Sequence, residues 1–151
     1  MPPQDEYDIT KGFTYMYFAG KPQFAFGHGL SYTTFRYSGL RLSPSRIATD
    51  GKVTVTAAVR NTGARAGQEV VQLYVHDVQA SVKRPSRELR GFQRIRLAPK
   101  EEKSVTFTLA ASDLAFYDVK TEKFVVEPGA FDVMIGASSE DIRLRGRLDV
   151  K

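Results

Sequence analysis

Residues 52–60 read KVTVTAAVR, with Val53, Val55, Ala57 and Val59 alternating against Thr54, Thr56, Ala58 and Arg60. A side-chain period of two belongs to a strand with one face buried and the other in water. The same period recurs down the chain. In KSVTFTLA (103–110), Val105, Phe107 and Leu109 share a face, and in GAFDVMIGA (129–137) Phe131, Val133 and Ile135 do. In DIRLRGRLDV (141–150), Ile142, Leu144, Leu148 and Val150 lie opposite Arg143, Arg145, Arg147 and Asp149. Weaker strand patterns occupy 34–42, 69–77, 88–97 and 115–127. Turn chemistry separates the runs at TDG (49–51), NTGARAG (61–67), LAPKEE (97–102), EPG (127–129) and ASSED (137–141). No stretch of a dozen residues carries a helical period. Seven or eight short strands at regular spacing predict an all-β, immunoglobulin-like antiparallel β-sandwich.

The chain has 151 residues, the usual size of one domain, and its 42% hydrophobic and 26% charged residues suit a folded globular protein. No apolar run approaches the ~20 residues of a membrane helix. The opening MPPQDEYDITKGF has acidic residues and no apolar core, unlike a signal peptide. A Met directly before Pro-Pro is expected where a chain is opened in the middle of a longer one. There is no cysteine, which excludes disulfides and thiolate metal sites. The net charge is +5, and Lys83, Arg84, Arg87, Arg90, Arg94 and Arg96 crowd one region, opposed there only by Glu88. No nucleic-acid motif accompanies them, so they are expected to form a solvated face and strand rim, with neither nucleic acid nor membrane as partner.

EVVQLYV breaks the alternation. Val71, Leu73 and Val75 face one way, while Val70 and Tyr74 face the other beside Gln72 and His76. A strand apolar on both faces needs a cover on its second side, from the N-terminal segment or from another domain. Residues 1–33 hold Tyr7, Phe13, Tyr15, Tyr17, Phe18, Phe24, Phe26 and Tyr32, too aromatic to be left in water. They are expected to form an extended connector arm ahead of a sandwich over 34–151.

Chemistry finds little support. The two histidines are His28 and His76. His28 precedes Ser31 closely, but a nucleophilic triad also needs an orienting carboxylate, and no G-x-S-x-G elbow is present. Two distant histidines without cysteines are weak support for zinc. Gly27 and Gly29 lack the third glycine and the following helix of a dinucleotide site, so a sharp turn is the simpler reading. Among the acidic residues, Glu101 and Glu102 sit in a turn and Asp113 and Asp118 flank a strand, the ordinary places of loop charge. No cofactor and no metal is expected. A carbohydrate-binding module is an alternative, with tyrosines in place of the tryptophan the chain lacks.

FAFGHGLSYTTF (24–35), VRNTGARAGQEVVQLYVHD, RPSRELRGFQRIRL and FVVEPGAFDVMIGASSEDIRL, in that order, resemble the C-terminal fibronectin type III-like domain of family 3 glycoside hydrolases, the β-glucosidases and β-xylosidases. The resemblance runs from about Tyr7 to Val150. It implies a retaining parent enzyme whose barrel and α/β domains carry the catalytic Asp and Glu, with this domain a non-catalytic element packed on both. Tyr15, Tyr17, Phe18, Phe24 and Phe26 would be interdomain packing anchors, and His28 a turn residue. Lys83, Arg84, Arg87 and Arg90 are the candidate loop for a substrate-entrance or homodimer contact. A periplasmic or extracellular setting is slightly favoured. The rival reading is an independent binding module for polysaccharide or an anionic polymer. Departures from the family pattern are Ala25 where Pro is usual, Phe13 where Arg is frequent, Phe124 where Trp is frequent, and Lys100 in place of a turn glycine, which predicts an altered turn.

Overall fold

The computed structural model describes residues 8–12, 14–18 and 20–151, with Tyr15 described by its backbone alone. The strands are β1 (Phe35–Ser43), β2 (Arg46–Ile47), β3 (Lys52–Asn61), β4 (Gly67–Asp77), β5 (Glu88–Leu97), β6 (Glu102–Ala110), β7 (Phe116–Asp118), β8 (Lys123–Val125), β9 (Gly129–Gly136) and β10 (Ile142–Val150). β1, β3 and β6 form one sheet with β3 central, and the second sheet runs β2-β10-β9-β4-β5. β7 and β8 make a separate hairpin. The pairings are antiparallel except that of β2 on β10. This is the immunoglobulin-like sandwich that the alternation predicted, in the fibronectin type III-like form that the resemblance implied.

The inward residues of the period-two runs meet between the sheets. Val53, Val55 and Val59 of β3 and Val105 and Leu109 of β6 pack with Val71, Leu73 and Val75 of β4, Val133 and Ile135 of β9 and Leu148 of β10, all buried in one cluster. Each such side chain stabilises the fold by about 1.5–3 kcal/mol relative to an exposed one. The outward face of the three-stranded sheet is a lattice of small polar groups, with Thr54 opposite Thr108, Thr56 opposite Thr106 and Ala58 opposite Ser104.

Two elements escape the periodicity. β2 has two residues, too few to show a period, yet Ile47 is buried. Backbone bonds from Asp149 N–H to Ser45 O (3.0 Å) and Lys151 N–H to Ile47 O (2.9 Å) seat it on β10. The other is a single 3-10 turn, Ala111–Leu114, whose first N–H groups need a cap. The Asp113 carboxylate accepts the Ala110 N–H at 2.8 Å, and Leu114 drops into the core.

Free strand edges invite pairing with other chains, and here side chains occupy them. Between β5 and β6, Gln93 Nε2 donates to Thr106 O and Lys103 Nζ to Arg96 O (2.8 Å). Between β10 and β1, Arg143 Nη1 donates to Phe35 O (2.6 Å). Lys100 takes φ 67°, the left-handed conformation a glycine would take, and its N–H and Nζ bond Asn61 O (3.0 Å) and Thr62 O (2.6 Å). Those bonds offset a conformational cost of about 1–2 kcal/mol.

Candidate functional site

The described residues between 8 and 34 attach to the sandwich at the β4–β5 loop, at the outer face of β4 and at the β3–β4 turn before the chain enters β1. The stretch begins in a 3-10 turn, Ile9–Lys11, whose N-cap Asp8 accepts Thr10 N–H (2.9 Å) and Thr10 Oγ1–H (2.7 Å). Those bonds, the side-chain one first, lower the Asp8 carboxyl below its ordinary value. A second turn, Tyr15–Tyr17, follows. Lys83, in the β4–β5 loop, then ties arm to sandwich. Its Nζ donates to Thr10 O (2.5 Å) and stands 5.8 Å from the centre of the Tyr17 ring, whose hydroxyl reaches Lys83 O at 3.5 Å.

The second attachment lies at the glycine-histidine-glycine stretch. Ser139 N–H donates to Phe26 O (2.9 Å), and the buried Gln72 Nε2 donates to both Gly27 O (3.2 Å) and Ala137 O (2.5 Å). The Tyr74 hydroxyl donates to Gln72 Oε1. Burial pushes the Tyr74 phenol up to about 12, so it remains a donor. Gly27 has φ 79°, and a Cβ there would stand 2.1 Å from Gln72 Oε1. The first glycine is therefore required twice over, by its backbone angle and by the amide beneath it. Gly29 has open space around its Cβ position.

A third attachment closes the arm. Thr33 Oγ1 donates to Asn61 Oδ1 (2.7 Å). The fully buried Asn61 also accepts Gly63 N–H (3.0 Å) and donates to Arg65 O (2.7 Å) and Leu97 O (3.2 Å). Its neighbour pocket, about 480 Å³, holds Glu69, Asp141 and Arg143. Tyr37 Oη donates to Glu69 Oε1 (2.8 Å) while Arg143 lies over the Tyr37 ring at 5.0 Å. Burial pushes the Glu69 carboxyl above its ordinary value.

The second face of β4 is covered in part, with Gln72 and Tyr74 buried and Val70 40% exposed. Tyr74 is 1% exposed and stands outside the central cluster, opposite Met134 of β9 and Leu89 of β5. Between it and the arm lies a groove of about 580 Å³, with Met16, Phe18, Phe24 and Phe26 on one wall and Arg87, Leu89, Ser139 and Glu140 on the other. Phe18, Phe24 and Phe26 remain 53%, 68% and 44% exposed. Tyr17 is half-buried against Lys83, and the side chain of Tyr15, like Tyr7 and Phe13, lies outside the described residues. Gln72, Leu89 and Ser139 were not singled out from sequence, although an amide between apolar neighbours in EVVQLYV was the signal for the first.

The cation cluster departs from a solvated rim at several positions. Arg84 is 5% exposed, between Asp77 (3.4 Å, 4% exposed) and Glu88 (2.8 Å, 10%), and donates to Leu114 O (2.9 Å). Two carboxylates and a carbonyl compensate its burial. Arg90 pairs with Glu88 (2.5 Å) and donates to Asp113 O. Arg87 donates to Ser139 O (2.5 Å) and pairs with Glu140 (2.6 Å). Lys83, Arg84 and Arg87 of the loop, and Arg90, which lies on β5 rather than in the loop, are all engaged within the chain.

Of the residues weighed for catalysis, His28, Ser31, Asp118 and Glu101 lie in turns, whereas His76 sits in β4 with its Nδ1 buried and, among the described residues, without a hydrogen-bond partner. His28 N–H donates to Ala25 O (2.9 Å), and its ring lies against Phe24 at 5.4 Å between centres. Ser31 Oγ accepts Thr33 N–H (3.4 Å). Asp118 accepts Thr121 Oγ1–H (2.7 Å) and Lys120 N–H (3.1 Å), and Glu101 accepts Ala98 N–H (2.6 Å). Among the described residues no three His, Asp or Glu side chains gather in a way that could hold a metal ion.

Residues 69–139 match the model of the fibronectin type III-like domain family. A β-glucosidase of Bacteroides ovatus is 48% identical over 123 residues, which are 82% of this chain and 16% of that protein. A solved β-glucosidase of Erythrobacter marinus superposes with TM-score 0.82 and 39% identity over 94% of this chain and 19% of its own. The family 3 β-glucosidase of Bifidobacterium adolescentis does so at 0.77 and 35% over 83% and 18%. The chain therefore spans less than a fifth of each of these proteins. It is a fibronectin type III-like domain homologous to the C-terminal region of the family 3 β-glucosidases and β-xylosidases.

Proposed function

We propose that this chain is the non-catalytic accessory domain of a family 3 β-glycosidase, a retaining β-glucosidase or β-xylosidase, and that it packs on the catalytic domains of its parent and stabilises them. The carrying observation is an asymmetry of coverage. Some 82–94% of this chain matches its relatives, while it accounts for only 16–19% of their length. The residues with chemical potential support a structural role, since His28, Ser31, Asp118 and Glu101 each hold a turn. In this reading residues 1–33 are the connector from the catalytic part, and Tyr15, Tyr17, Phe18, Phe24 and Phe26 are its packing anchors. Lys83 holds arm to sandwich, while Arg84, Arg87 and Arg90 are paired with carboxylates of the sandwich itself.

A chimera tests the proposal. When this chain replaces the matching segment of the Bacteroides ovatus enzyme, activity and thermal midpoint are expected close to those of the intact enzyme. Deletion of the segment is expected to lower the midpoint by several degrees. A chimera no more stable than the deleted enzyme would contradict the proposal.

A further inference from the structure

Arg36 of β1 and Arg60 of β3 are direct cross-strand partners on the outward face of the three-stranded sheet, and both are exposed. Like charges placed opposite one another weaken a strand pair. The same face carries Arg41, opposite Thr56, and Lys52 at the start of β3, both exposed. Among the described residues none of these four side chains has an ion-pair or hydrogen-bond partner. Glu102, the carboxylate across β3–β6 from Arg60, is not paired with it either. By contrast, Arg84, Arg87, Arg90 and Arg143 are each paired with a carboxylate.

Between the four cations the floor is made of small side chains. Ser38 and Ser43 of β1 continue the hydroxyl lattice of β3 and β6, lying opposite Ala58 and Thr54. Lys52 and Arg60 bound it at the two ends of β3, roughly 27 Å apart at the rise of an antiparallel strand. A hydroxyl both donates and accepts, so this floor can exchange hydrogen bonds with the hydroxyls of an extended sugar chain. A guanidinium binds a carboxylate through two parallel N–H donors. No outward position of β1, β3 or β6 holds an aromatic ring. A neutral glycan therefore has nothing to stack on there, and a single-stranded nucleic acid has no platform for its bases.

We propose that the outward face of β1, β3 and β6 binds an acidic polysaccharide, a chain of uronic acids laid along β3 with its carboxylates on Arg36, Arg41, Lys52 and Arg60 and its hydroxyls on the serines and threonines. A carboxylate between Arg36 and Arg60 relieves their repulsion, which is a gain that only a charged glycan supplies. The face lies across the core from Gln72, which fastens the arm to the other sheet. Polysaccharide and parent enzyme therefore do not compete, and the face serves the chain whether or not the accessory-domain reading holds.

Polygalacturonate is the probe, titrated into the chain by calorimetry at low and at high salt. Binding is expected at low salt and its loss at high salt. Arg36→Glu combined with Arg41→Glu is expected to weaken it by about tenfold or more. The denaturation midpoint of that variant is expected to be no lower, because Arg36→Glu turns a like-charge pair into an opposite one. Lys120→Glu combined with Lys123→Glu makes the same change of charge on the β7–β8 hairpin and is expected to alter affinity by less than about twofold. Equal weakening by the two pairs would overturn the proposal, since it would mark attraction by the basic chain as a whole. Failure to bind polygalacturonate, or binding of neutral β-glucan as tightly, would overturn it too. Poly-uridylate bound as tightly, and released by the same Arg36 and Arg41 changes, would put a nucleic acid in place of the glycan. None of these outcomes touches the accessory function, which the chimera's thermal midpoint decides.

Discussion

Gly27 and Gly29 flank the same histidine, yet only one of them has a structural duty. Gly27→Ala forces a side chain onto a left-handed backbone and into the Gln72 amide, which Tyr74 and Ala137 hold in place. Its expected cost is about 2 kcal/mol or more. Gly29→Ala is expected to stay within about 0.5 kcal/mol. Urea denaturation of the two variants checks the pair, and equal midpoints would contradict the latch. A sharp turn was legible from the glycines alone. Its partner was not, because Gln72 is 45 positions away and reaches Gly27 only through the sheet.

Glu69 supplies a pH prediction at the same scale. Burial raises its carboxyl above the ordinary 4.5, against the Tyr37 hydrogen bond and Arg143, with Asp141 adding to the rise. An acid whose folded pKa exceeds its unfolded one binds its proton more tightly when folded. Stability from this group therefore falls as pH rises from about 4.5 through the raised value. Glu69→Gln keeps an acceptor for Tyr37 and carries no charge. It is expected to be more stable than the parent chain at pH 7, with the advantage shrinking towards pH 4. Asp141 acts in the opposite sense, since Arg143 lowers it and its contribution is lost only as pH falls below 3.8. An advantage for Glu69→Gln that is constant between pH 4 and 7 would contradict the assignment.

Among elements, the long strands were legible because each buries one face and so must alternate, as β3, β6 and β10 do. The dense apolar run of β4 was legible as a strand needing two covers. What escaped were elements without a period. β2 owes its place to β10 rather than to its own two residues, and the 3-10 turn at Ala111–Leu114 is placed by long-range partners, the Arg84 and Arg90 guanidinium groups and the core around Leu114, together with the Asp113 cap. The loop between β4 and β5 read as a charged rim. Charge alone does not reveal that Asp77 and Glu88 come together across a strand pair and draw Arg84 inside. Removing one member of a buried ionic cluster leaves charges without compensation, at a cost of about 3–5 kcal/mol. Arg84→Met is expected to fall in that range by chemical denaturation. Arg46→Ala breaks a 3.8 Å pair with Asp149 in which both side chains are about half exposed or more, and is expected to cost less than about 1 kcal/mol. Similar losses for the two would contradict the internal role of the loop.

At the scale of the whole molecule, the sandwich and the arm form a two-sided object. The outward positions of β3 and β6 are small or polar, while Phe18, Phe24 and Phe26 of the arm, and Tyr117, Val119 and Phe124 of the β7–β8 hairpin, are exposed. Which side would be covered was not legible in sequence, because exposure depends on where the arm settles and on which of its rings the sheet absorbs. Tyr74 and Met134 are buried, while Leu30 and Tyr32 stay exposed. Such a surface is suited to lasting contact with a larger apolar neighbour.

The most direct measurement is calorimetric titration of this chain into a family 3 β-glucosidase from which the matching C-terminal segment has been deleted, repeated at several temperatures. Burial of apolar surface on association gives a negative heat-capacity change. The account predicts binding with that signature, and its weakening in Phe24→Glu. An absence of binding to the deleted enzyme, together with retention of the chain on insoluble glucan, would contradict the account and make the chain an independent carbohydrate-binding module.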